Sequence, residues 1–127
     1  MRIIVAHNAK EYNGLPVETY ARSIIRVLCQ WGHDVTEVPK EPPFSFDVYA
    51  ANELLLDLDC GRNDKGELRW HGEEQKPPIK SAVYFIDSHG YPDLHRKLAR
   101  NYDHCVFAAW SRRDLFDYHK SAHWLPN

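Results

Sequence analysis

The chain has 127 residues, of which 43% are apolar and 27% charged, and a formal net charge of −2. That balance predicts one globular domain able to bury its own core, and it excludes a protein drawn to nucleic acid by charge alone. No apolar run approaches the ~20 residues that cross a bilayer, and residues 1–6 are too short and too β-rich for a signal peptide, so a cytoplasmic protein is expected.

Arg2–Ala6 reads as the first strand, followed by a polar loop over 7–14. Pro16 suits the first turn of a helix, where its missing N–H costs nothing. Val17, Tyr20, Ala21, Ile24, Leu28 and Trp31 then recur at helical spacing as one apolar stripe. Glu18 and Arg22 form a favourable pair four apart on the polar side. Gly32 ends the helix as a left-handed cap would, and Asp34–Val38 alternates like a second strand. This β-α-β unit predicts a right-handed crossover and a parallel sheet.

Pro39, Pro42 and Pro43 then break the chain. Residues 53–58 read as a third strand ending at Asp59-Cys60-Gly61, with a short helix as the alternative because leucine favours helices. Residues 62–78 are polar and rich in turn formers, among them Asn63-Asp64-Lys65-Gly66, and read as an excursion that a hairpin would return through Leu68 and Trp70. Residues 81–86 form an apolar, β-rich run of the kind buried on both faces of a parallel sheet. A helix over 91–101, a strand over 105–109, a short helix over 112–119 and a last strand over 122–125 follow. The expected fold is a single α/β domain over 1–127, Rossmann-like and doubly wound. Its mainly parallel sheet of about five to six strands would lie between two helical layers, a three-layer α/β/α arrangement.

In such sheets the carboxyl ends of the strands share one edge, where ligands bind. Three loops there carry chemistry. His7 and Asn8 leave the first strand, with Asn13 and Gly14 behind them, and a glycine lets a ligand approach the backbone. Asp59-Cys60-Gly61 leaves the third strand. Asp87-Ser88-His89-Gly90 leaves the fourth, where an Asp two residues before a His would orient or charge-stabilise it as a general base. The bland counterparts of these readings are a surface loop with a turn glycine, a strand terminus, and a helix capped by Asp87 or Ser88.

Other patterns point away from common chemistries. No Gly-x-Gly-x-x-Gly or Gly-Lys-Ser/Thr phosphate loop is present, which argues against dinucleotide and P-loop binding. The acids from Asp57 to Glu67 fit no calcium-loop register, and His119 and His123 lack the intervening metalloprotease glutamate, so no metal is expected. Arg96-Lys97 and Arg112-Arg113 read as solvated helix faces. Three cysteines without Cys-x-x-Cys spacing fit a reducing compartment and read as small buried side chains, Cys60 being the one placed for a nucleophilic role.

With those residues in hand, the chain resembles the amino-terminal domain of a GT-B-type glycosyltransferase of the CgeB-like, family-4-like kind. The first strand, its glycine-bearing loop, the long helix and Gly32-His33-Asp34-Val35 are similar to that family's opening. Ile86-Asp87-Ser88-His89 resembles its aspartate-x-histidine loop, Asp103-His104-Cys105-Val106-Phe107-Ala108 its later strand, and His123-Trp124-Leu125-Pro126-Asn127 its Trp-Leu-Pro exit. The resemblance spans nearly the whole chain.

It implies two Rossmann-like domains facing a cleft, with the acceptor mainly on the first and the nucleotide-sugar donor mainly on the second. The donor-binding domain is absent from residues 1–127, so the chain alone is expected to transfer little or no sugar. The implied reaction is displacement at an anomeric carbon by an acceptor hydroxyl. His89, oriented by Asp87, is the first candidate base and His7 the second, while Asn8, Asn13, Gly14, Asp59, Ser88 and Gly90 are the implied substrate contacts. No cofactor is implied, donor phosphates being met by helix N-termini and basic side chains. The competing reading is a non-catalytic α/β module, flavodoxin-like or a split-subunit partner. Ala6-His7-Asn8 supplies neither the paired acids of a receiver domain nor the Ser/Thr/Gly-rich phosphate loop of a flavodoxin.

Overall fold

The structure is a computed structural model that describes residues 1–7, 11–12, 15–16, 19–38, 49–58, 76–85, 88–90 and 92–126, with 11–12, 15–16 and 19–20 as backbone only. In chain order these form β1 (Arg2–Ala6), β2 (Glu11–Tyr12), β3 (Leu15–Pro16), α1 (Thr19–Gln30), β4 (Asp34–Val38), β5 (Leu54–Leu58), β6 (Lys80–Phe85), α2 (Pro92–Ala99), β7 (His104–Phe107), a 3-10 helix (Trp110–Phe116) and β8 (Ala122–Trp124). Six strands make one parallel sheet in the order β4-β1-β5-β6-β7-β8. The expected strands over 2–6, 34–38 and 53–58 stand within one residue of their predicted bounds. The leucine run 54–58 is a strand rather than a helix because it lies between β1 and β6, which pair with both of its edges.

Period-2 alternation in the central strands builds two cores. Ile3, Val5, Leu58 and Tyr84 face α1 and pack with Ala21, Ile24, Ile25 and Leu28. Val83, Phe85, Cys105 and Phe107 face the other way, onto Leu98 and Ala99 of α2 and Leu115 and Phe116 of the 3-10 helix. A third cluster on that second side joins Ile4, Ala6 and Leu55 to Tyr49. Helices on both faces of a parallel sheet make the fold a doubly wound, Rossmann-like α/β/α domain. Among the described residues, no helix is long and apolar enough to cross a membrane.

α1 ends as its sequence predicts. Gly32 has φ +88°, the Gly32 N–H bonds the Cys29 carbonyl at 3.0 Å, and the His33 N–H bonds that of Leu28 at 3.1 Å. This paired pattern satisfies carbonyls that the last helical turn leaves open. The start of α1 departs from expectation. Pro16 is not in its first turn but pairs with Glu11 in an antiparallel two-stranded ribbon, and the helix begins at Thr19. Both strands of such a ribbon are edges, where a residue without an N–H is tolerated. The apolar stripe also ends sooner than predicted, because Trp31 lies beyond the last turn and is 72% exposed. Cys29 is exposed rather than buried, since it falls off the stripe of Ala21, Ile24, Ile25 and Leu28. Cys105 is buried, and burial pushes its thiol up to about 12, leaving it a packing group. Val17, Glu18, Cys60, Leu68 and Trp70 lie outside the described residues.

At the amino edge of the sheet, a reciprocal clasp joins β6 to β7. Asp103 Oδ2 accepts from the Ser81 N–H at 2.9 Å, and Lys76 Nζ stands 2.8 Å from Asp103 Oδ1. The Lys76 hydrogen bond outweighs the opposing effect of burial and, with the Ser81 hydrogen bond and the nearby lysine charges, holds the Asp103 carboxyl below the usual carboxylate range. Because the folded-state value is depressed, the stability it contributes is complete above the ordinary carboxylate range and is lost as pH falls from there through the lower folded-state value. Asp103→Asn is expected to cost about 1 kcal/mol at neutral pH, a charged hydrogen bond discounted for an exposed lysine partner. Denaturant titrations at pH 7 and pH 3 check this, and an equal cost at both would contradict it.

Candidate functional site

The site is set by where neighbouring strands send their connections. β1 and β5 lie side by side, but the chain leaves β1 toward β4 and leaves β5 toward β6. Their diverging carboxyl ends open the crevice in which doubly wound sheets bind ligands. His7 stands there. Its N–H bonds the Val38 carbonyl at 3.1 Å, extending the β1–β4 ladder by one residue and fixing the ring beside β4. His7 Nε2 lies 3.0 Å from Glu37 Oε1, and the two side chains are 12% and 42% exposed. An imidazole with a carboxylate partner is the arrangement that accepts a proton and stabilises the imidazolium that forms. The partner went unread in the sequence because it lies 30 positions away. The readable cue was the parallel pairing itself, which sets Val5 opposite Glu37 near the ends of the first two strands.

The β6 loop behaves differently at each residue. Ser88 is fully buried, with its Oγ 3.1 Å from Nδ1 of the equally buried His95 on α2, so the hydroxyl turns inward. The His95 ring stacks on Phe85 with centroids 4.3 Å apart, which ties the loop to the end of β6. His89 and Gly90 are exposed, and His89 Nε2 lies 3.0 Å from Ser111 Oγ on the 3-10 helix. His7 and His89 leave strands two intervals apart, roughly 10 Å. Asn8, Asn13, Gly14, Asp59 and Asp87 lie outside the described residues, as does any pairing of Asp87 with His89.

No family model, curated protein or solved structure matches this chain. Its chemistry therefore rests on its own residues. Beside the β6 loop, the β7 and β8 ends bring two tryptophans together at 5.3 Å and a 58° tilt. Trp124 Nε1 donates to the Ala108 carbonyl at 3.1 Å, and the Arg113 guanidinium lies 4.7 Å above the Trp110 ring. The Tyr84 hydroxyl donates to the Leu125 carbonyl at 3.1 Å, pinning the segment after β8 to the sheet.

Two polar groups of the interior serve the fold rather than the edge. Asp57, opposite Ala6 and Val83, is fully buried and accepts a hydrogen bond from the Tyr102 hydroxyl. Burial, then the charge of Asp57, pushes the Tyr49 hydroxyl up to about 12. His119 donates through Nε2 to the Tyr102 carbonyl at 2.9 Å and accepts through Nδ1 from the Ser121 N–H at 3.0 Å. Both of its nitrogens are thus engaged by backbone, while His123 Nε2 bonds Ser121 Oγ at 3.0 Å.

Proposed function

We propose that this chain is the acceptor-side domain of a cytoplasmic GT-B-type glycosyltransferase, which transfers a sugar from a nucleotide-sugar donor to an acceptor hydroxyl. The observation that carries the reading is the His7–Glu37 pair at the carboxyl edge of the sheet, where β1 and β4 end beside the β1–β5 crevice. In the proposed step the acceptor O–H gives its proton to the His7 imidazole. The oxygen forms a bond to the anomeric carbon, the bond from that carbon to the donor phosphate breaks, and the nucleoside diphosphate leaves. Glu37 holds the ring in orientation and offsets its new charge. His89, exposed on the same edge, is the other candidate for proton transfer. The donor is held mainly by a second domain facing this edge.

A second reading is favoured by one observation. The strand order places β1 between its two successors, β4 and β5, as in flavodoxin-like sheets. That order suits a ligand-binding module without transfer chemistry. The two readings separate in one experiment, in which the product of the complete reading frame is given UDP-, GDP- and dTDP-sugars with an acceptor panel. Acceptor-dependent release of nucleoside diphosphate is expected from the complete protein and not from residues 1–127 alone. Turnover by the 127-residue chain would remove the need for a second domain. No release by the complete protein would overturn the transferase and leave the binding module.

A further inference from the structure

We propose that the corner formed by Trp110 and Trp124 is a saccharide subsite, which holds sugar rings of the acceptor that do not themselves react. It rests on the transfer reading for the role of its ligand, but its binding test stands apart from that reading.

The observations begin with exposure. Trp110, Trp124 and Leu125 are 54%, 49% and 52% exposed, although large apolar side chains next to a well-packed core have every reason to turn inward. Both indoles are held in place, Trp124 by its N–H on the Ala108 carbonyl and Trp110 by Arg113, whose Nη1 also donates to the Trp110 carbonyl at 3.1 Å. Pre-set aromatic rings offer contact area at little cost in side-chain entropy. The patch is not purely apolar. Ser111, His89 and Arg113 are exposed around it, and the first two are hydrogen-bonded to each other.

That mixture selects the ligand class. A pyranose presents an apolar C–H face that lies against an aromatic ring and a rim of hydroxyls that seek donors and acceptors. Position then sets the ligand's length. The carboxyl ends of β1 and β7 are three strand intervals apart, roughly 14 Å. An acceptor hydroxyl at His7 reaches this corner only when it belongs to a chain of sugars, not to a single one.

The test measures binding to the 127-residue chain by calorimetry and tryptophan fluorescence, with maltotriose, cellotriose and chitotriose as probes and glucose as control. At least one trisaccharide should bind more tightly than glucose. Trp110→Ala should weaken that binding about five- to tenfold, the loss of one aromatic contact, without lowering the melting temperature of this exposed site. Ser111→Ala, which removes one hydroxyl beside the patch, should weaken it about twofold. Failure of all three probes, glucose binding as well as a trisaccharide, or unchanged binding by Trp110→Ala would each overturn the subsite. In the complete protein, Trp110→Ala should raise KM for an oligosaccharide acceptor and leave kcat unchanged. Trisaccharide binding without any transfer would overturn the proposed reaction alone, and transfer to an acceptor without sugars would overturn the subsite alone.

Discussion

His7→Ala is expected to lower kcat of the proposed transferase by about 10²–10⁴-fold, the usual contribution of a positioned general base. The same substitution should leave the domain folded. A pair whose carboxylate is 42% exposed is screened by water, and such a contact contributes less than about 1 kcal/mol to stability. Loss of activity without loss of structure is thus the outcome that marks a proton-transfer role. Glu37→Gln keeps the shape of the partner but not its charge, and should produce a smaller loss, about tenfold. His89→Ala made in parallel decides between the two histidines of this edge. A large loss there together with a silent His7→Ala would move the base to the β6 loop, where Asp87 precedes His89 by two residues. Single-turnover rates, compared with circular dichroism spectra of each variant, read out all three.

Phe85→Ala should have the largest effect on stability, about 3–5 kcal/mol. The side chain is fully buried at the end of β6 and lies between two rings, His95 at 4.3 Å and Phe116 at 5.6 Å. Phe116 in turn stacks on Phe107 at 4.9 Å, so one truncation loosens α2, the 3-10 helix and β7 together. Against a typical total of about 5–15 kcal/mol, that loss brings the chain near its unfolding threshold. The effect also reaches the candidate site. Without the Phe85 ring, His95 loses its stacking partner, and with it the hold on Ser88 weakens. The denaturation midpoint should fall with the slope unchanged. A cost under about 1 kcal/mol would mean that the neighbouring rings collapse into the space.

These two substitutions differ in how visible their sites are in the sequence. Phe85 sits in an apolar run of five residues, and that pattern alone places it in a buried strand. His7 is visible as a polar residue at a strand end, but nothing local identifies its partner. Glu37 reads as one polar position in an alternating strand until β4 is laid beside β1. Ser88 shows the opposite case. In sequence it belongs with His89 as a site residue, yet burial against His95 turns its hydroxyl into the core. Pro16 is legible as a residue that avoids strand interiors, but not as part of a ribbon, because both a helix start and an edge strand tolerate it.

The sequence by itself determined the strands of the parallel sheet, the long helix before β4 and the fold class. Period-2 runs, one amphipathic stripe and the glycine at position 32 are local signals, and parallel strands need the crossover-length connections that the chain supplies. Only the tertiary structure decided which side chains meet. Sheet order and register brought His7 to Glu37, turned Ser88 to His95, and set Trp110 against Trp124. The physical reason is that a crossover connection fixes neighbours through the packing of whole faces. Contacts between residues far apart in the chain are therefore properties of the assembled sheet, and no local pattern encodes them.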